Sequence, residues 1–255
     1  GVSDLGLATT GAGTARLTAD HRLSARGPCA PCLAAPCGAV TAEQALHILL
    51  VHNEYIHKGG EDVVLSNETA LLQAHGHRVT VATVSNRSID GAWAQLKTAV
   101  YAASSPFGAA WMRQQLAATK PDVVHVHNFF PLLSPSIYRV CNDAAVPVVQ
   151  TLHNYRTICA NAMLTRNDGP CELCVSGSPY QGVRYRCYRQ SAVATLPLAR
   201  MIANNRAAGT WQNRVDRFIA LTGFARSRFL AAGFPADKVV AKPNFVADPG
   251  PSVAP

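Results

Sequence analysis

The segment LHILLVH (46–52) is a short, unbroken apolar run that stops at the turn-rich HKGG. A strand that is apolar on both of its faces has to be covered on both of them, which is the environment of a parallel sheet between two helical layers. The following residues agree. Val64, Leu65, Leu71 and Leu72 recur near helical spacing, so a helix is expected from Glu61 to about His75, with Gly76 at its C-terminal cap. RVTVATV (78–84) reads as the second strand, 107–119 as a helix, and PDVVHVHN (121–128) as a strand opened by Pro121. Ser134 is expected as a helix N-cap with Pro135 at the first helical position, the helix running to about Ala145. PVVQTLH (147–153) is another buried strand, and 154–190 is irregular. A long helix starts at Ser191 and reaches about Ala208, with Pro197 inside it. DRFIALT (216–222), a short helix from Phe224 to Ala232 closed by Gly233, and KVVAKPN (238–244) complete the alternation. The expected fold is α/β: a Rossmann-like parallel sheet with helices on both faces and a Cys-rich loop insertion.

The chain divides unevenly. Residues 1–45 are rich in Ala, Gly, Thr and Pro without periodicity and read as a disordered or non-native extension. Cys29, Cys32 and Cys37 lie there with no fourth ligand nearby, which fits an unstructured stretch better than a metal site. Residues 46–248 read as one domain with the Cys-rich insert at 154–190, and 249–255 as the start of a linker. The longest apolar runs fall far short of a bilayer span, and no signal peptide is read. The net charge is +8, but Lys and Arg are thinly spread, which argues against nucleic acid as a partner. Anionic lipid surfaces and phosphorylated substrates remain. A cytoplasmic chain, with peripheral contact at the inner membrane face, is expected.

Ligands of open parallel sheets bind beyond the C-terminal ends of the strands. That rule selects 52–60, His127 and Asn128, His153 and Asn154, and Thr222 and Gly223. Gly59 and Gly60 stand just before a helix, where backbone N–H groups favour an anion; an ordinary glycine turn is the competing reading. His125 and His127 share one strand face, and with His153 they could form a three-His metal site. His125 lies deeper and reads better as a core histidine. Cys159, Cys171, Cys174 and Cys187 have the spacing C-x11-C-x2-C-x12-C, a pattern for a four-thiolate structural zinc, with disulfides and free thiols as alternatives. Cys141, alone on a helix, reads as a small buried residue.

Taken in order, ILLVHNEYIHKGGEDVV, PDVVHVHNFFPLLSPSIY, PVVQTLHNYRTICANA, RNDGPCELC…RCYRQS and FIALTGFARSRFLAAGFPADKVVAKPNFV resemble the N-terminal domain of family-4 glycosyltransferases, one half of a GT-B fold. The resemblance runs from about Leu46 to Asp248 and is closest to a subgroup with HNYR followed by a Cys-rich insert. It implies transfer of a sugar from a nucleotide-sugar donor to a glycan or lipid-linked acceptor, with retained anomeric configuration and no catalytic metal. It implies that Gly59 and Gly60 meet the donor, that His153 is the catalytic contact, and that His127, Asn128 and Asn154 line the acceptor side. The donor-binding C-terminal domain of that family, with its E-x7-E motif, is not in this sequence, so the chain alone is expected to be inactive. Two other classes compete: a non-catalytic, zinc-stabilised sugar- or phospholipid-binding module, and a three-His metallohydrolase using Glu54, Glu61 or Asp62 as base.

Overall fold

The structure is a computed structural model, and it describes residues 45–56 and 59–246. The readings of 1–44, including Cys29, Cys32 and Cys37, and of 249–255 lie outside the described residues.

Eight strands are described: β1 (His47–Glu54), β2 (Arg78–Ser85), β3 (Val123–Asn128), β4 (Val148–Leu152), β5 (Thr165–Arg166), β6 (Gly169–Pro170), β7 (Arg217–Ala220) and β8 (Val239–Ala241). The helices are α1 (Gly60–Ala74), α2 (Gly91–Tyr101), α3 (Pro106–Thr119), α4 (Ser136–Asp143), α5 (Gln181–Arg184), α6 (Ala192–Ala207), α7 (Thr210–Asn213) and α8 (Gly223–Ala231). Six strands form one parallel sheet in the order β2-β1-β3-β4-β7-β8, a Rossmann-like arrangement. The order reverses at β1, so ligands are expected at the C-terminal edge there.

The two faces of the sheet differ. On one, Leu49, Val51, Val124, Val126, Val148, Phe218 and Ala220 join residues of α3, α4, α6 and α8 in the main core. A fully buried side chain of this size contributes roughly 1.5–3 kcal/mol. On the other, α1 covers only a small apolar cluster of Ile48, Leu50 and Leu65. Beyond that cluster the same face turns polar, because His52, His125 and His127 follow Leu50 and Val123 at alternate positions. All three imidazoles are buried.

The helix and strand positions follow the hydrophobic pattern, with local differences. Ser134 is not the cap of α4: it takes a left-handed φ of 57°, and Pro135 stands at the cap. The Ser134 hydroxyl instead accepts from Ser105 N (2.7 Å) and bonds the Ser136 hydroxyl (2.9 Å), tying the starts of α3 and α4 together. α2 has no buried residue, so no core-facing stripe announced it. Segment 154–190 contains more order than irregular chain would, with β5 and β6 joined as a hairpin through Asn167 and Asp168, both at positive φ. No described helix is long and apolar enough to cross a membrane.

Candidate functional site

The polar half of the α1 face is organised around Glu68. Its position, four after Val64 and four before Leu72, puts it on the buried stripe of α1. One carboxylate oxygen, Oε1, accepts from Lys242 Nζ at 2.5 Å. The other, Oε2, lies 3.3 Å from His127 Nε2 and 3.7 Å from His125 Nδ1. Burial alone would raise this carboxyl, but hydrogen bonds from His127 and Lys242 and the adjacent imidazoles outweigh it and hold it at about 2. His125 also bonds the Thr151 hydroxyl through Nε2 (2.8 Å), so it is a satisfied interior histidine. Burial, then the charge of His127, pushes both His125 and His153 down to about 3.

His153 closes the row at the mouth of β4. Its Nε2 is 3.1 Å from His127 Nδ1, with the rings stacked at 5.3 Å. The grouping of His125, His127 and His153 suggested by the sequence is therefore corrected: among the described residues the compact ligand set is Glu68, His125 and His127, and His153 reaches only the far side of His127. The Lys242 ammonium already supplies the positive charge at that carboxylate, which disfavours a cation there. On β1, His52 is buried, with Nε2 3.3 Å from Asp62 Oδ1; burial lowers its pKa despite that carboxylate.

A second group stands just outside the row. Asn154 donates from Nδ2 to Glu61 Oε1 (2.9 Å) and accepts the Arg156 N–H at Oδ1 (3.0 Å). The Arg156 guanidinium is stacked on Phe130 at 4.8 Å and on Tyr188 at 5.3 Å, and donates to the Ala160 carbonyl. Burial raises the Glu61 carboxyl and the nearby Tyr55 phenol. Arg156 Nε, Thr157 Oγ1 and Glu61 Oε2 are buried without a hydrogen-bond partner among the described residues, an uncommon concentration for one small region. The hollow between His127, His153, Asn154 and Arg156 is only about 20 Å³, room for about one water.

Phe130 and Tyr188 also line a much larger cleft of about 430 Å³ between α2 and α6. Its walls are mostly apolar, with Leu96, Ala99, Pro131 and Pro197 among them, and Arg189 at its edge. Val193 of α6, 83% exposed, is part of its lining, and Trp93 of α2 is 77% exposed. Two rings of the cleft lining thus also neighbour the Arg156 guanidinium.

Gly59 and Gly60 open α1 with free space where a Cβ would be, and Asp62 accepts the Gly59 N–H at 2.7 Å. Asn128 is committed to the fold: its amide donates to Asn53 O (2.8 Å) and accepts the Phe130 N–H (2.9 Å), holding the β1 and β3 exits together. Cys159, Cys171, Cys174 and Cys187 converge. Burial, and then the thiols of Cys159, Cys187 and Cys171, push Cys174 up to about 11. None of the described cysteines forms a disulfide. The four sulfurs are less tightly gathered than the Glu68 group. Cys159 Sγ donates to Asn161 Oδ1 (2.9 Å), and Arg206 of α6 clamps the knuckle by donating to the carbonyls of Cys174, Val175 and Gly177. Cys141 is buried on α4, its thiol pushed to about 12 by burial.

Glu68, Lys242, Tyr55, Arg156 and Tyr188 were not singled out from the sequence. Glu68 carried a signal, a carboxylate on the apolar stripe of a helix, and Arg156 stood in the quoted HNYR.

A family model described as a glycosyl transferase 4-like domain matches residues 59–244. Comparison with curated protein sequences gives no match. Among solved structures, UDP-N-acetylglucosamine 2-epimerase from Rickettsia bellii is similar at 13% identity and a TM-score of 0.42, covering 78% of this chain and 45% of that one. Anabaena Alr3699/HepE in complex with UDP and glucose is similar at 16% identity and a TM-score of 0.37, covering 78% and 44%. The chain thus spans less than half the length of these two structures.

Proposed function

Because this chain belongs to the glycosyl transferase 4-like domain family, we propose that it is the acceptor-binding part of an enzyme that moves a sugar from a nucleotide-sugar to a lipid-linked phosphate acceptor, with retained configuration. The observation that carries the acceptor class is that Phe130 and Tyr188 line the α2–α6 cleft and also carry the stacked Arg156 guanidinium. This mostly apolar trough is about 430 Å³ in volume. An apolar cleft with a guanidinium behind two of its rings suits a molecule with an apolar tail, an anionic joint and a polar head. His153 and Asn154 follow next and would meet the sugars, with His127 acting beneath His153 and Asn128 shaping the loop. Gly59 and Gly60, at the open start of α1, would face the donor phosphates. The exposed apolar side chains of α2, with Lys97 among them, would rest at an anionic membrane surface, which a net charge of +8 favours.

We assign Cys159, Cys171, Cys174 and Cys187 a structural zinc. Four neighbouring thiols unlinked by disulfides, of which Cys174 and Cys187 are held protonated first by burial and then by the thiols around them, fit a cation that would take them as thiolates. Most of the described non-glycine residues with positive φ lie in the surrounding segment, a backbone that a bound ion would help to hold beside its core contacts through Ile158, Leu164 and Val175.

The test is incubation of the whole enzyme, this domain together with a donor-binding half, with labelled nucleotide-sugars and a bacterial lipid extract. Label entering the organic phase supports the reading. Label transferred only to water-soluble acceptors overturns the acceptor class. Binding of prenyl phosphate without any transfer favours the second reading, a non-catalytic sugar- or phospholipid-binding module, to which the small size of the hollow at His153, about 20 Å³, lends support.

A further inference from the structure

We infer that Glu68 is a positioning residue that acts through His127 to fix the tautomer of His153, leaving Nδ1 of His153 as its proton-accepting nitrogen. The inference deepens the reading of His153 as a site residue, and its geometry stands without that reading.

Glu68 is buried and bridged by Lys242 at Oε1 (2.5 Å). An ionised carboxylate accepts and never donates. His127 Nε2 faces its second oxygen at 3.3 Å and has no other partner among the described residues. Were Nε2 unprotonated, its lone pair would oppose carboxylate lone pairs in a buried place, so Nε2 carries the hydrogen. Where the ring is neutral, a His127 with its hydrogen on Nε2 presents a lone pair at Nδ1. His153 Nε2 lies 3.1 Å from that lone pair, so the hydrogen of this contact belongs to His153. A neutral His153 with its proton on Nε2 has Nδ1 free of one, and it is this nitrogen that accepts a hydrogen bond from a hydroxyl. The depressed values of Glu68 and His153, about 2 and about 3, agree with an ionised carboxylate and a neutral ring.

Lys242 belongs to the same device. It follows β8 directly, and the next turn of chain is pinned on α1 by Asn67 Nδ2 to Phe245 O at 3.3 Å. His125 faces the same carboxylate oxygen as His127 but is held by Thr151, so it does not compete for His153.

The tautomer is read directly by long-range ¹H–¹⁵N correlation of histidine rings in the folded chain at about pH 8, where ordinary imidazoles are neutral. We expect His153 to be protonated on Nε2. Glu68→Gln should invert the relay: Lys242 claims the one amide oxygen, the amide NH₂ turns to His127 Nε2, and His127 and His153 both move their proton to Nδ1. His127→Phe, which removes the middle ring, should leave His153 as a mixture and serves if Glu68→Gln fails to fold. A wild-type His153 protonated on Nδ1, or unchanged in both variants, overturns the inference. These outcomes do not depend on transferase activity. If transfer is measured, Glu68→Gln should lower kcat about tenfold or more with KM little changed, and a pure loss of fold would move both.

Discussion

Lys242 and Glu68, 174 positions apart in sequence, meet at 2.5 Å and join the exit of the last described strand to the helix beneath the histidine row. This one contact neutralises a buried carboxylate, keeps a cation near three buried imidazoles and ties the end of the sheet to its beginning.

The row makes stability depend on pH. His125 and His153 are held at about 3 against an ordinary 6.5, so the unfolded chain binds protons there more readily than the folded one. Their neutral, buried state therefore costs stability as pH falls below about 6.5. Glu68, held at about 2 against 4.5, contributes stability above about 4.5 that is lost as pH falls towards 2. Both effects have the same sign. We expect the urea midpoint to fall steadily from pH 7.5 to pH 5, by an amount on the order of several kcal/mol in stability. A midpoint unchanged over that range would contradict the burial of this row.

The zinc assignment predicts about one zinc per chain in the purified, reduced protein, and its loss in Cys171→Ser. A mutant of His127 should keep the metal. Chelation should lower the melting temperature by more than about 5 °C, since a structural site contributes directly to folding. A metal-free protein with an unaltered melting curve would remove the site.

The exposed face of α2 predicts membrane contact. Trp93→Glu with Leu96→Glu should lower binding to phosphatidylglycerol vesicles about tenfold or more, with little effect on stability because α2 has no buried residue. Co-sedimentation reads this, and equal binding by the double variant counts against the surface.

Gly108 of α3 is a packing point rather than a flexible one. A Cβ there would lie 1.9 Å from the backbone carbonyl oxygen of Leu133, which cannot rotate away. Gly108→Ala should destabilise by about 1–3 kcal/mol or more, read by chemical denaturation. A neutral result would mean that α3 and the turn before α4 sit further apart than described.

The sheet was legible because its strands are apolar runs of a length that only a two-sided burial explains, and because caps such as Ser191 and the glycine after α8 mark the helix ends. α2 was not legible, since a helix with no buried stripe leaves no periodic trace. The histidines at the strand ends were visible from the topology rule. Their partners were not: Glu68 and Lys242 are distant in sequence, and only the fold brings them together. Ser134 was misplaced because a Ser before a Pro reads as a cap, whereas here the hydroxyl is drawn to Ser105 and Ser136 instead. The four cysteines stood out by spacing alone, while the link between an apolar cleft and Arg156 needed the aromatic pair Phe130 and Tyr188 to be seen beside both.

One amphiphilic acceptor held by the cleft and the strand-end group together should be visible in amide and side-chain NMR with a short-chain prenyl diphosphate-linked hexose. The account predicts that signals of Leu96, Phe130, Tyr188, Arg156 and His153 move together in one saturable titration, that the free hexose moves none of them at the same concentration, and that Arg156→Met weakens the titration about tenfold or more. Shifts confined to the outer cleft, with Arg156 and His153 unmoved, would contradict it.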